Sequence, residues 1–320
     1  MQPILTLTEA VREIAKGNLD RKTDIRTGDE SEELSDSVNH MTGELKEYME
    51  NLAKVTMDKQ KIATELSLAQ GIQEDMLPSI FPKFSNNPHY DLFATMHAAK
   101  EVGGDFYDFY DIDETHVVLT MADVSGKGIP ASLFMVISKT MQKNDTLAAT
   151  MEQDPESVDW AGIMEQVNRQ LCENNEEMMF VTVFFGVLNI VTGEFIYVNG
   201  GHNAPLIGRV SEGKTDWEYI RDEKKSHMVG VIENAKYMQK RLTLKPGDML
   251  YFYTDGVTEA MDGDGQLYTE ERLQEALFRA ATSEIKMADM LARIREDIDA
   301  HANGAEQSDD ITMLGVRFLG

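Results

Sequence analysis

The sequence predicts an α+β protein, with antiparallel sheets covered by helices on their outer faces, behind a helical N-terminal segment. Three observations lead there. The apolar, β-branched runs mostly follow one another, with hairpin-type turns such as Thr192-Gly193 and Lys245-Pro-Gly-Asp248, instead of alternating singly with helices. The helical patterns of the last three quarters come in pairs, 130–143 with 157–173 and 269–281 with 285–302. The first fifty residues lack the apolar density of a globular core, yet repeat apolar residues at three- and four-residue steps.

In that first segment Pro3 begins a helical pattern with Ile4, Leu7, Val11 and Ile14 on one face, and Gly17-Asn18-Leu19 stops it. A polar connector, Asp20 to Asp29, leads to a second pattern from about Glu30, with Leu34, Val38, Met41, Leu45, Met49 and Leu52. Two short amphipathic helices cannot bury their stripes alone and need another copy or another segment. Pro3, Gly17-Asn18-Leu19, Asp29-Glu30, Leu34 and Asn39-His-Met41 resemble a HAMP module, the parallel two-helix signalling unit usually found just inside a membrane. The resemblance implies a parallel four-helix homodimer. The alternative is any helical hairpin that leads into a coiled coil.

Beyond Leu52 the apolar steps continue through Val55, Ile62, Leu66, Ala69 and Met76, with Lys59 and Gln73 at two seam positions. The step from Leu52 to Val55 follows another three-residue step, a phase slip that locally overwinds a coiled coil. The segment reads equally as a passive spacer or as a switch with two competing packings. Pro78 ends it, and Pro82 and Pro88 keep the next stretch extended. The expected domains are therefore 1–52, a HAMP-like module; 53–80, a coiled-coil linker helix; and 81–320, a globular domain.

In the globular part, strands are expected at 90–96, 105–110 and 116–122, then a helix at 130–143, a polar loop at 145–156, and a helix from Ser157, its N-cap, to 173. The run 180–188 is nearly all apolar, as a strand buried on both faces should be. Strands follow at 194–199, 204–208, 217–220, 237–244 and 249–254, with a last one at 311–318, after the Asn303-Gly304 helix stop.

The chain is organised around Met121-Ala-Asp123-Val-Ser-Gly126-Lys-Gly128-Ile-Pro130, a strand, a glycine turn and a helix start. The turn sets Asp123 at a strand end beside exposed backbone. Asp105, Asp255 and the pair Asp309-Asp310 also stand where apolar runs begin or end. Hard divalent cations take oxygen ligands, and clustered carboxylates rarely persist without positive charge between them. Taken singly, each has a plainer reading: a turn cap, a helix-start carboxylate, a β-turn, a charged surface pair.

In order, Gly-Gly-Asp-Phe-Tyr-Asp (103–108), Asp-Val-Ser-Gly-Lys-Gly (123–128), Asn-Gly-Gly-His-Asn-Ala-Pro (199–205), Thr-Asp-Gly-Val-Thr-Glu-Ala (254–260) and Asp-Asp-Ile-Thr (309–312) resemble the sporulation-stage-II-E class of PPM (protein phosphatase 2C-like) serine/threonine phosphatases. The resemblance implies a four-layer αββα sandwich, two antiparallel sheets between helix pairs. It implies two Mn2+ or Mg2+ ions about 4 Å apart that orient in-line attack by a metal-bound water. By resemblance Asp123 bridges both ions and the water, the Val124 carbonyl is a backbone ligand, Asp105 joins one ion, Asp255 and Asp309 join the other, and Asp310 supports them. The implied substrate is a phosphoserine or phosphothreonine protein of the anti-sigma-factor-antagonist type. His202 reads either as a loop-organising histidine or as a catalytic acid, and Lys127 as a solvated or structural lysine or as a phosphate contact. The other reading of the whole is an inactive phosphatase-fold scaffold that binds a partner.

Composition narrows the field. Thirty basic residues against 56 acidic ones give a net charge of −26, the wrong sign for a nucleic-acid partner. Cys172 is the one cysteine, which excludes an internal disulfide and a thiolate metal site and fits a reducing cytosol. Gly126-Lys127-Gly128 lacks the upstream glycine and the following Ser/Thr of a nucleotide P-loop. Asp262-Gly-Asp264-Gly265 would need Ala260 as the first ligand of a calcium loop and is instead a hairpin turn. No stretch is long and apolar enough to span a bilayer. Since a HAMP module normally follows a membrane helix, the expectation is the cytoplasmic part of a membrane-anchored sensor, tethered through a segment absent from this chain.

Overall fold

The computed structural model describes residues 2–78, 87–211, 214–221, 226–282 and 285–320. Pro82 and the expected boundary between residues 80 and 81 lie outside the described residues. The chain divides into two compact units, Met1–Leu68 and Ala69–Gly320.

The first unit holds helix α1 (Gln2–Ala15) and most of α2 (Glu30–Met76). Asp29 starts α2 by accepting the Ser31 amide at 3.0 Å, and Glu32 reaches back to the Gly28 amide at 2.8 Å. Asn39 straps the connector to the helix: its amide donates to the Thr23 carbonyl (2.7 Å) and its oxygen accepts the Thr23 amide (2.9 Å). Leu7, Ile25 and Val38 close a small core with Ile14 against it. The remaining stripe of α2, Leu34, Met41, Leu45, Met49, Leu52, Val55 and Ile62, stays exposed in the single chain.

The second unit is built on two five-stranded antiparallel sheets. One runs β1 (Tyr90–His97), β10 (Ile311–Phe318), β9 (Met249–Tyr253), β6 (Leu206–Ser211), β7 (Lys214–Tyr219). The other runs β2 (Phe106–Asp111), β3 (His116–Val124), β4 (Val181–Asn189), β5 (Glu194–Gly200), β8 (Gln239–Thr243). The sheets face each other through an aromatic core in which Phe252 lies 5.6 Å from Phe184 and 6.4 Å from Phe195, ring centre to ring centre. Helices α3 (Ile129–Glu152) and α4 (Trp160–Cys172) cover the second sheet, with Trp160 against Phe185 at 5.3 Å. A short α5 (Asp255–Thr258) follows β9, and α6 (Thr269–Ala280) and α7 (Met287–Ala302) bury Leu273, Leu277, Met290 and Ile294 against the first. This is the four-layer sandwich that the family resemblance implies. Among the described residues no helix is long and apolar enough to cross a membrane.

Several element bounds differ from expectation for local reasons. Helix α3 continues nine residues past Lys143, through most of the expected 145–156 loop, because Thr146 is fully buried and Ala149 still packs on the core. Ser157 is no N-cap; it ends a one-turn helix, and Asp159 caps α4 by accepting the Gly162 amide at 3.0 Å. Strand β6 starts at Leu206, not at 204, since Pro205 has no N–H to give the ladder, although its carbonyl still accepts the Ile220 amide (2.8 Å).

One polar contact locks α3 to β2. Lys139 Nζ lies 2.7 Å from Asp108 Oδ2, and both side chains are buried. Burial draws the Lys139 ammonium below its ordinary pKa, and Asp108 opposes that shift. Lys143 stands 4.0 Å from the same oxygen. Lys139→Met alone should strand a buried carboxylate and cost about 3 kcal/mol, the low end for a broken buried pair because Lys143 remains. Asp108→Leu with Lys139→Met should recover most of that loss in urea unfolding.

Candidate metal centre

Strand register decides where the acidic residues fall. Phe106 is paired with Ala122, so Asp105 and Asp123 stand side by side at one end of the β2–β3 pair. In the other sheet Met313 is paired with Tyr253, so Asp255 just after β9 and Asp309-Asp310 just before β10 share one end of that pair. The two ends are tied together. Asp105, buried, accepts hydrogen bonds on Oδ2 from Thr254 Oγ1 (2.7 Å) and Thr312 Oγ1 (2.6 Å), which belong to the opposite sheet.

Three glycines let backbone come this close. A Cβ on Gly104 would sit 2.8 Å from the Val124 carbonyl oxygen, one on Gly103 2.2 Å from Asp310 Oδ2, and one on Gly256 2.0 Å from the Asp310 carbonyl oxygen. Asp310 spends its carboxylate on backbone: Oδ1 accepts the Ala99 amide (2.8 Å) and Oδ2 the Gly104 amide (2.9 Å). Asp310 therefore pins the 98–105 loop. Gln307 ties the end of β1, just before that loop, to the loop before β10, donating to the carbonyls of His97 (2.7 Å) and Asp309 (2.8 Å).

A third tie comes from the last turns of α2. Gln73 is buried, donates to the Gly103 carbonyl at 2.7 Å and accepts the Gly103 amide at 3.0 Å. The seam position assigned to Gln73 is thus a two-point clamp on the turn that carries Asp105.

The electrostatics record the crowding. Burial first, then Asp123 and Asp310, raises Asp105 well above the usual carboxylate range. Burial, then Asp255 and Asp309, pushes Asp123 up to about 7, while a hydrogen bond with Asp105 opposes the shift. Asp255, the first residue of α5, is raised by burial, then by Glu259 and Asp309, with Lys127 acting against them. Lys127 Nζ lies 2.9 Å from Asp309 Oδ2. Among the described residues no three acidic or histidine side chains already enclose a single ion position. The donor chemistry nonetheless fits a hard divalent cation: carboxylate oxygens and a backbone carbonyl at one edge, with their mutual repulsion only partly offset by Lys127.

His202 lies beside this edge, not in it. It is buried, and its Nδ1 shares a hydrogen bond with Thr182 Oγ1 at 2.9 Å. Its amide donates to Asn199 Oδ1 (2.8 Å), and Asn199 Nδ2 donates back to the His202 carbonyl (3.2 Å). Burial pushes the imidazole down to about 4, so it is neutral near pH 7 and suited to organising the 199–203 turn. Thr254, Thr312, Gln307 and the Gln73 clamp were not singled out as site residues from sequence. The two threonines lay within the quoted Thr254-Asp255-Gly256 and Asp309-Asp-Ile-Thr312 motifs.

An acidic cleft at matching ends of two facing sheets, inside an αββα sandwich, defines a protein phosphatase 2C-like domain. The chain belongs to the stage II sporulation protein E (SpoIIE) family, whose model matches residues 113–319, and a HAMP domain model matches residues 1–47. It is 29% identical to Protein IcfG of Synechocystis sp. over 98% of this chain and 51% of that protein, so it spans about half the length of that relative. It is 27% identical to the phosphoserine phosphatase RsbU of Bacillus subtilis over 81% of this chain and 71% of that one. The fold superposes on the SiaA PP2C domain of Pseudomonas aeruginosa with a TM-score of 0.67 at 19% identity, covering 82% of this chain and 98% of that domain.

The raised Asp123 value makes a signed prediction for the chelated protein. Between the ordinary carboxylate value of 3.8 and about 7, the folded state holds a proton that the unfolded state has lost. That contribution to stability is full below the unfolded value and disappears as pH rises through the folded one. In EDTA the thermal midpoint should therefore fall as pH rises from about 5 to 8, and Asp123→Asn should flatten the fall.

Proposed function

We propose that the chain is a manganese- or magnesium-dependent phosphoprotein serine/threonine phosphatase controlled through its N-terminal helices. The convergence of Asp105, Asp123, Asp255 and Asp309 on one edge carries this reading. Asp123 stands between the others, hydrogen-bonded to Asp105 and under the charge of Asp255 and Asp309. In the proposal the ions would be held centrally by Asp123, by Asp105 and the Val124 carbonyl on one side and by Asp255 and Asp309 on the other, and Asp310 would fix the loops. Divalent ions bound there supply a water of lowered pKa and offset the charge of the phosphoryl oxygens. The chain's own part is to hold these oxygens in place and to keep Asp123 ionised once positive charge is present. The substrate in this reading is a phosphoserine or phosphothreonine on a protein, of the anti-sigma-factor-antagonist type. The likeness to RsbU, named a phosphoserine phosphatase, supports the phosphoserine part.

Control enters through α2. The exposed apolar stripe of Leu34 to Ile62 supports a parallel homodimer, since so many large apolar side chains on one helix call for a partner helix. The working domain bounds remain 1–52 for the signalling module, 53–80 for the linker and 81–320 for the phosphatase. The Gln73 clamp gives the linker a direct hold on the Asp105 turn.

Release of phosphate from a phosphoserine protein should require Mn2+ or Mg2+, and Asp123→Asn should lower it by more than about a hundredfold, since a ligand outweighs the outer contacts that cost ten- to a hundredfold. Equal turnover with EDTA or in the variant would refute metal catalysis, and no turnover together with no metal uptake would favour the scaffold reading. Gln73→Ala should weaken Mn2+ affinity by about tenfold. Removing residues 1–52 should change activity or metal affinity, and no change in either would count against control through the N-terminal helices.

A further inference from the structure

Lys127 is the one lysine among the described residues that ion-pairs with any of the four cleft carboxylates, and its surroundings show how it is held. Its ammonium donates to the Ser308 carbonyl at 2.6 Å and lies 2.9 Å from Asp309 Oδ2. It also acts on Asp255, the other carboxylate of that side. The other acidic groups are held differently. Asp105 is fixed by two threonine hydroxyls and Asp310 by backbone amides, and both are buried. Asp309 is the more exposed one, at 36% of its side chain, and Lys127 at 37%.

The lysine stands on a turn with room to move. Gly126 and Gly128, on either side, have φ of 86° and 78°, the left-handed region that glycine tolerates. Nothing lies within 4 Å of where a Cβ would stand on either. Among the described residues the direct holds on the ammonium are the Ser308 carbonyl and Asp309 itself, both on the loop before β10.

We infer that Lys127 is a built-in counter-cation that competes with a metal ion for Asp309. The inference rests on the metal reading of the cleft and deepens it. A dication that takes Asp309 cannot share that oxygen with an ammonium without like-charge repulsion, so loading of the Asp255–Asp309 side is an exchange of one cation for another. The exchange makes that side the weaker of the two. It also returns the ammonium to solvent at the cleft mouth, where a doubly charged phosphate monoester must approach. In the empty cleft Lys127 keeps Asp309 from adding its full charge to the repulsion around Asp123.

Two measurements on the full chain test this. In the unaltered protein, acetic anhydride labelling read by mass spectrometry should show Lys127 becoming severalfold more reactive when Mn2+ is added, with Lys100 as the internal reference. By calorimetry, Lys127→Met should bind Mn2+ at the weaker site roughly twofold to fivefold more tightly, the range of a partly exposed ion pair. Lys127→Arg should stay near the unaltered value, because it keeps the charge. Unchanged or reduced labelling on adding Mn2+ overturns the inference, and so does equal or weaker binding by Lys127→Met. Mn2+-dependent phosphatase activity in that case leaves the metal reading standing. Failure of the unaltered chain to bind Mn2+ overturns both.

Discussion

Like-charge crowding at one end of two facing sheets is the constraint to which the rest of the molecule answers. Asp105 and Asp123 leave adjacent strands of one sheet, and Asp255 and Asp309 flank adjacent strands of the other. Antiparallel pairing fixes which residues share an end, so the meeting of these groups follows from register rather than from loop conformation. The sheets are held in register by apolar packing, above all the contacts of Phe252 with Phe184 and Phe195. Burial of that aromatic surface stabilises the fold enough to tolerate carboxylates that repel one another. Burial first, and that repulsion after it, raise Asp105, Asp123 and Asp255.

The backbone around the cleft is arranged to limit that cost. Thr254 and Thr312 donate to Asp105 from the opposite sheet, so one buried carboxylate is stabilised by hydroxyls that carry no charge of their own. Asp310 is satisfied by amides of the 98–105 loop and so works as a tie, while its charge still adds to the repulsion on Asp105. Glycine at 103, 104 and 256 is dictated by these close approaches: at each, a Cβ would fall within 3 Å of an oxygen. The glycines of the motifs are thus as much part of the site as the aspartates.

Much of this was legible in the sequence. The long apolar run of β4, the turn signals and the paired helices predicted the class of fold, and five ordered motifs carried the family resemblance with its aspartates. What escaped was set by tertiary contact. Helix α3 runs on through Asn144-Asp145 because Thr146 and Ala149 still find the sheet, which no local propensity reports. Ser157 had the right chemistry for a cap, but Asp159 won, two residues later, because Pro155 starts a separate turn. Gln73 followed the heptad-like spacing of its neighbours, and only the fold shows that a glycine backbone 30 residues away takes both ends of its amide. Thr254 and Thr312 stood inside recognised motifs, but a threonine next to an aspartate looks like ordinary strand sequence until the two sheets are stacked.

The ties around the cleft also differ in strength, and that difference says which part can respond to a signal. Strand β2 is bound on both sides: by its ladder to β3, and by the buried Asp108–Lys139 pair to α3. Moving it would break a backbone ladder and separate buried charges together. The 98–105 loop that precedes it hangs on hydrogen bonds from Gln73 and Asp310, with Gln307 holding the His97 carbonyl just before it, each worth on the order of 1 kcal/mol, or up to about 3 where a charge takes part. Two of these come from the loop before β10, and one from a helix whose earlier turns belong to another compact unit. Displacement of Gln73 therefore costs little beside the stability of the sandwich, yet it acts on the turn that carries Asp105. The proposed control through α2 rests on this contrast: the tie it would act on is weak, while the core beside it is strongly held.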